Sequence, residues 1–443
     1  MSINRYKKYP LSLKDTKKRQ DSRTALHKSP SLISTENTGK NLLSKLPNEV
    51  LLLFKIFEDN IFLVGGSVRD LILNKAIHDY DFASQLLPQQ IIQILEKHKI
   101  KSIPTGLKYG TITAVINHKN FQITTLRTDY NYQGRFCDVN FTDNLEIDAS
   151  RRDFTINALY LDRHGKIYDF FNGIYHLKNN KVIFINNPNE RITEDYLRIL
   201  RFFRFSCYYA KKLNDQGTIA SINNIAKLES ISKERIREEF FKILKSKNYN
   251  HIFKILRIFK KTNLDAILWQ NEMNILRFKK FLKYSKYQNI ELQNYSIIAS
   301  LFIDLNLNID TLNKNLVLTK IERKFLNEIQ QLLLEFSSKK LTLNNLNYLL
   351  TQYSQEFIMI FYILFKINKK NINSKNLFKI LDYIKNIQIK DFPLIPKDLI
   401  NIKLPKHQIN NHIKKLKKIW ANSNFKATKQ ELINYAKTNL VKY

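Results

Sequence analysis

The sequence predicts an α+β protein whose front is turn-rich α/β and whose back is nearly continuous helix. Three observations carry this. All nine glycines fall at or before Gly217, and glycine concentrates where a chain must turn tightly. No proline occurs between Pro188 and Pro393, so that stretch lacks the residue that interrupts helices most strongly. Within it, His251 to Lys260 (HIFKILRIFK) and Ile321 to Phe336 (IERKFLNEIQQLLLEF) repeat apolar residues at helical spacing with Lys, Glu and Gln between them.

The elements follow in chain order. Residues 1–43 are basic and rich in Ser and Thr, with Lys outnumbering Arg and Asp15, Asp21 and Glu36 interrupting. They are expected to form a disordered extension that touches RNA, rather than a transit peptide. Ile61 to Val64 reads as a buried strand. Gly65 and Gly66 then let the backbone approach an anion closely, Ser67 is placed to cap the next helix, and that helix start together with Arg69 suits phosphate. Asp79 and Asp81 follow at strand spacing, where alternate side chains share a face and two carboxylates can reach the same divalent ions, magnesium above all. A Gly-Gly turn beside an Asp-Tyr-Asp loop is the simpler structural alternative.

Further on, Arg151 to Leu159 (RRDFTINAL) suggests a helix capped by Asp153, with Phe154, Ala158 and Leu159 packed inward. In Glu194 to Phe205 (EDYLRILRFFRF), Asp195 and Arg198 lie three apart on a predicted helix and so on one face, where a surface ion pair is the ordinary outcome. Arg201 and Arg204 continue the series, either holding Asp195, meeting phosphate or standing in solvent. Leu228 to Leu244 offers Ser232 as a helix cap ahead of a charged run.

Taken in this order, FLVGGSVRD, DYD, RRDFTINAL and EDYLRILRFFRF resemble the class II nucleotidyltransferases, the family of CCA-adding tRNA nucleotidyltransferases and related bacterial poly(A) polymerases. The resemblance runs from about Leu43 to the C-terminus. It implies a nucleotidyltransferase-type head with a small mixed sheet over residues 44–187, a nucleotide-reading helical neck over 188–250, and a helical RNA-binding body and tail over 251–443, in a seahorse-like arrangement. Asp79 and Asp81 become the catalytic metal ligands. Arg152, Asp153 and Asn157 become the sugar side of the nucleotide site, and a 2′-hydroxyl, both donor and acceptor, suits that set. Asp195 and Arg198 become a base reader. Cytosine and adenine each offer an amino donor beside a ring-nitrogen acceptor, whereas guanine and uracil reverse that order, so a carboxylate and a guanidinium together select C and A. Glu234 and Arg237 are assigned to structural support. Arg127, in TTLRTD, either contacts the triphosphate or pairs with Asp129.

The chain departs from the family pattern at three positions. Gln122 stands where an acid is usual, Asn172 replaces a glycine of the flexible DFFNG segment, and Ile183 replaces an arginine. These losses bear on domain closure more than on the metal site, and they are what supports the alternative of a non-catalytic RNA-binding relative. Poly(A) polymerases of this class carry a basic, aromatic element such as GRRF where this chain has PTGLKYGTIT, so CCA addition to tRNA from CTP and ATP is the expected activity. Poly(A) addition and a CC- or A-adding specialist are the alternatives.

Composition agrees. A net charge of +34 calls for a polyanionic partner such as RNA, although the crowding of Lys, Asn and Ile is also what an AT-rich genome imposes. Cys137 and Cys207 are too few for a disulfide framework or structural zinc, and a cytoplasmic setting is expected. Phe357 to Phe365, the longest strongly apolar run, falls short of the roughly 20 residues that cross a bilayer and reads as a buried helix. In Phe278 to Tyr287 (FKKFLKYSKY), the aromatics are expected in the core and the lysines on a solvated face, with an RNA-facing surface as the alternative.

Overall fold

The computed structural model describes residues 36–133, 136–369, 372–402 and 404–439. The expectation of a disordered extension therefore falls largely outside the described residues. Its last residues are helical: α1 (Glu36–Leu43) leads into α2 (Asn48–Phe57), and Leu42, Leu46 and Val50 enter one core.

The sheet is built around β1 (Ile61–Val64), whose four residues are all buried. Alternate side chains point to opposite faces of a strand. Ile61 and Leu63 accordingly join the core under α2 and α4 (Pro88–Lys97), while Phe62 and Val64 pack with Ala83 and Tyr160 on the other face. The remaining elements of this half are α3 (Gly66–Ile72), β2 (Tyr80–Ser84), β3 (Lys101–Gly106), β4 (Thr111–Ile116), β5 (Lys119–Thr125), α5 (Leu145–Ser150), β8 (Leu159–Leu161), β9 (Ile167–Asp169) and α6 (Gly173–Lys178), with β6 (Arg127–Gln133) and β7 (Phe136–Phe141) pairing apart. The main sheet has seven strands in the order β3-β4-β5-β2-β1-β8-β9. Only the β2–β5 pair is parallel, so the sheet is mixed, as expected.

Among the described residues no strand follows β9. The chain continues through α7 (Pro188–Glu194), α8 (Arg198–Tyr209), α9 (Asp215–Asn224), α10 (Lys233–Leu244), α11 (Tyr249–Lys261), α12 (Leu264–Trp269) and α13 (Ile275–Tyr287), then through further helices as far as Lys429–Asn439. One apolar core threads them, from Phe202 and Phe203 in α8 to Leu432 and Ala436 in the last helix. The run Phe357 to Phe365 lies buried within helix Gln355–Asn368. Among the described residues no helix is long and apolar enough to cross a membrane.

The DFFNG segment turns at Asn172, where the family pattern has a glycine. Asn172 sits at φ 57°, ψ 32°, a left-handed conformation that asparagine tolerates better than most residues. Asp169 secures the start of α6 by accepting from the Gly173 and Ile174 amides at 2.7 and 2.8 Å. Gly173 cannot be replaced so easily, because a Cβ there would lie 2.3 Å from the Thr155 carbonyl oxygen. The Ile183 carbonyl accepts from the Thr155 amide, a contact that does not depend on the side chain at position 183.

Candidate active site

β1 ends on a turn that only glycine makes comfortably. Gly65 has φ +71°, its amide donates to the Leu159 carbonyl at 2.9 Å, and a Cβ would come within 3.3 Å of the Arg152 guanidinium. Ser67 does not cap α3, which begins at Gly66. Its hydroxyl instead donates to the Asp79 carbonyl at 3.0 Å and accepts from the Asp81 amide at 3.2 Å, fastening both ends of the Asp79–Asp81 segment to the glycine turn. Asp79 lies just before β2 and Asp81 is its second residue; both are exposed. Protein mass around Asp81 raises its carboxyl above the usual range, Arg152 pulls it back, and Asp79 pushes it up again. Gln122 lies directly beside Asp81 in the parallel β2–β5 register.

This donor set fits a hard divalent cation. Two neighbouring carboxylates, one destabilised in part by the other, gain from a shared positive charge, and a set of two leaves coordination positions for phosphate and water, as magnesium prefers. Among the described residues no group of three or more His, Cys, Asp or Glu is arranged to hold a metal.

The RRDFTINAL segment buries Phe154, Ala158 and Leu159 completely, as expected, but it is not a helix. It makes a single 3-10 turn, Thr155–Asn157, before β8. Strand pairing decides this: Phe154 bridges Phe184, and Leu159 pairs with Asp169. Asp153 thus caps a turn rather than a helix, accepting from the Phe154 amide at 2.8 Å, from Asn157 Nδ2 at 3.0 Å and from Arg201 Nε at 2.8 Å. Burial works to raise its carboxyl, but Arg201, the Asn157 hydrogen bond and Arg198 outweigh it and hold the group ionised. Arg69 donates to Asn157 Oδ1 and pairs with Asp70, so Arg69, Asn157, Asp153 and Arg201 form one chain across the cleft floor.

Beneath it lies a residue the sequence reading passed over. Asp148, 1% exposed, accepts from the Arg127 amide, Arg151, Arg152 and the Tyr160 hydroxyl at 2.7 to 3.3 Å. An acid three and four residues before the two members of an Arg-Arg pair was the available signal.

The largest revision concerns Asp195 and Arg198. Asp195 is not helical: α7 ends at Glu194, Asp195 is extended, and α8 starts at Arg198. Nor do the two form an ion pair. Asp195 accepts from the Leu197 amide at 3.0 Å and from Arg235 of α10 at 2.7 Å, whereas Arg198 pairs with Glu194 and donates to the Arg191 and Arg151 carbonyls. The helix break frees both side chains to face the cleft. Arg201 and Arg204 do not hold Asp195; they pair with Asp153 and Glu239. Arg237 pairs with Glu322 at 2.6 Å, a link between helices. Ser232 occupies the cap position of α10 without a side-chain hydrogen bond.

These groups surround a cavity of about 560 Å³. Gly65, Gly66, Arg69, Asp81, Arg152, Asp153, Asn157, Asp195, Arg198, Arg201 and Arg204 all line it, joined by Arg151, Tyr208, Tyr209 and Lys242. Ser67 and Asp79 do not line it; Ser67 is bonded to the Asp79 carbonyl beside it. Arg127 is apart from it, pairing with Asp129 at 2.8 Å and donating to the Tyr109 carbonyl.

On α13, Phe278, Phe281 and Tyr284 are buried, as expected, but Tyr287 is exposed, because it stands on the outer side of the helix. The lysines do more than face solvent: Lys279, Lys283 and Lys286 line a cleft of about 370 Å³ with Tyr249, Phe253 and Arg257 of α11.

Residues 61–183 match the family described as Poly A polymerase head domain, and residues 215–260 match the one described as probable RNA and SrmB-binding site of polymerase A. Over these two stretches the chain is similar to that family of polymerases. Among curated relatives it is 38% identical over 275 residues to the human mitochondrial CCA tRNA nucleotidyltransferase 1, covering 59% of this chain and 62% of that one. It is 42% identical over 184 residues to a CCA-adding enzyme of Lactobacillus helveticus, covering 41% and 45%. The chain thus matches less than two thirds of the length of these relatives. The fold is shared with the Thermotoga maritima CCA-adding enzyme complexed with tRNA, at TM-score 0.70 and 18% identity over 91% of this chain and 98% of that one. It is likewise shared with the Bacillus stearothermophilus CCA-adding enzyme in complex with CTP, at TM-score 0.65 and 22% identity over 88% and 96%.

Proposed function

We propose that the protein adds CMP and AMP from CTP and ATP to the 3′ end of tRNA, without a nucleic-acid template, and releases pyrophosphate. One observation carries this reading: a single cavity joins the glycine turn and Asp81 to Asp195 and Arg198. The names of the relatives and of the tRNA- and CTP-bound structures support it.

Asp79 and Asp81 would hold the divalent ion, magnesium in our reading, which supplies charge to lower the pKa of the RNA 3′-hydroxyl and steady the triphosphate. The remaining work belongs to the chain. Asp195 has one lone pair committed on each oxygen, so each keeps an acceptor for a base amino group. Arg198 uses three of its N–H groups on Arg191, Glu194 and Arg151, leaving Nε–H and one Nη2 hydrogen for a ring nitrogen. Arg152, Asp153 and Asn157, already hydrogen-bonded among their neighbours, present a fixed polar wall to the ribose. The helices beyond residue 250 hold the RNA, with the α11–α13 cleft as one phosphate-facing surface. The division into head (44–187), neck (188–250) and body with tail (251–443) follows the same reading, as does a cytoplasmic setting, which two free thiols suit.

The test is to incubate the purified protein with magnesium, labelled nucleotides and tRNA lacking its CCA end. The expected product carries C, C and A in that order and then stops. A ladder of A residues from ATP alone would establish poly(A) addition instead, which the head family's description favours as the second reading.

A further inference from the structure

The single 3-10 turn Thr155–Asn157 carries part of the polar wall proposed for the ribose, and so short a turn holds itself weakly. Its own backbone supplies two bonds, from the Asn157 amide to the Phe154 carbonyl at 2.9 Å and from the Ala158 amide to the Thr155 carbonyl at 3.2 Å. Asn157, at the cavity end, is fixed by side chains: Nδ2 donates to Asp153 at 3.0 Å and Oδ1 accepts from Arg69. One Nδ2 hydrogen is left to meet a hydroxyl.

Thr155, at the other end, is buried and does not line the cavity. Its amide donates to the Ile183 carbonyl at 3.0 Å, and its carbonyl oxygen is packed so closely on Gly173 that a Cβ there would lie 2.3 Å away. Its hydroxyl meets Nδ1 of His176 at 2.9 Å. Among the described residues this imidazole is the one side chain that hydrogen-bonds Thr155. A threonine hydroxyl both gives and takes a hydrogen, so the bond holds in either tautomer of the ring. His176 stands three residues into α6, the helix whose start Asp169 secures. It also lines an open cleft of about 360 Å³ shared with residues 212–216, so its side chain is not core filling. The turn that faces the sugar is thus braced from a surface cleft on its opposite side by a single hydrogen bond.

We propose that His176 is a positioning residue for sugar selection: through Thr155 it fixes where Asn157 stands opposite the 2′-hydroxyl of the incoming nucleotide. This assignment rests on the nucleotidyl-transfer reading of the site and on the ribose wall within it.

The test compares ATP with dATP. Binding of each to the full chain with magnesium is measured without RNA, for wild type, His176→Leu, Thr155→Val and the two changes together. Transfer to tRNA lacking its CCA end is followed on the same wild-type preparation. Wild type is expected to prefer ATP. His176→Leu should weaken ATP about fivefold, the worth of one neutral hydrogen bond, and leave dATP unchanged. Thr155→Val, which keeps the outline of the side chain and loses only the hydroxyl, should do the same and carries the test alone should His176→Leu not fold. The double variant should be no worse than either single one, because both remove the same contact. An unchanged ratio of ATP to dATP affinity, equal weakening of both, additive losses in the double variant, or a wild type without sugar preference overturns the proposal. If the expected binding pattern appears yet wild type transfers nothing to tRNA, the role of His176 stands and the proposed reaction falls. If wild type completes CCA ends while the variants keep its sugar preference, the reaction stands and the role of His176 falls.

Discussion

The Asp195 carboxylate and the Arg235 guanidinium meet at 2.7 Å, joining the break between α7 and α8 to the first turn of α10. Asp195 is thereby held by a residue forty positions later in the chain. Arg235→Met should loosen the acceptor that selects C and A, raising the relative kcat/KM for UTP and GTP while transfer from CTP falls. Asp195→Ala should do the same more strongly. Arg198→Ala should weaken all productive nucleotides, each good base contact contributing about 1 to 3 kcal/mol of discrimination. Relative kcat/KM for the four nucleotides on one RNA checks all three; an unchanged order of preference at full rate would move specificity elsewhere.

Asp79→Asn or Asp81→Asn should abolish transfer and leave RNA affinity nearly unchanged, because these carboxylates serve the reaction and the distant basic helices serve binding. Turnover and RNA binding measured on the same preparations separate the two effects.

Gln122→Glu places a third acid beside Asp81. If two carboxylates suffice, turnover should change by less than about tenfold, about 1.4 kcal/mol of barrier. A large gain in rate would mean that the natural site is impaired.

Asp148 predicts a pH effect with a definite sign. Burial alone would raise its carboxyl, but Arg151, Arg152 and the Tyr160 hydroxyl hold it well below the usual carboxylate range. A depressed folded value stabilises the protein above the unfolded aspartate value of about 3.9, and that stability is lost as pH falls through the folded value. Asp148→Asn should therefore lower Tm at pH 7, in line with the roughly 3 kcal/mol or more that a broken buried ion pair costs. The gap to wild type should narrow only below about pH 4. Thermal melts from pH 7 to 3 give the comparison.

Replacing Lys279, Lys283 and Lys286 together by Ala should weaken RNA binding without regard to sequence. The slope of log affinity against log salt should flatten by about 0.9 for each duplex phosphate no longer neutralised. No change in slope would remove the α11–α13 cleft from the RNA path.

What the sequence made legible was local. The apolar run Ile61 to Val64 became a fully buried strand, the Gly-Gly turn kept its φ > 0 residue, and the proline-free back folded as helix. The errors arose where distant segments compete with local preference. RRDFTINAL has the spacing of a helix, but pairing of Leu159 with Asp169 draws it into the sheet. EDYLRILRFF reads as one helix, but the Asp195 side chain bonds the Leu197 amide and helps end one helix and begin another. Partners such as Arg235 for Asp195 and Glu239 for Arg204 lie thirty-five or more positions away, where no periodicity reaches.

The Ser67 hydroxyl, bonded to both ends of the Asp79–Asp81 segment, makes one mechanical unit of the turn that would receive phosphate and the strand that would receive the ion. Two ligands sharing such a unit have reciprocal affinities: the factor by which nucleotide tightens the ion is the factor by which the ion tightens nucleotide. A single oxygen atom is then the joint through which each ligand senses the other, and Ser67→Ala would leave two weaker events that no longer report on one another.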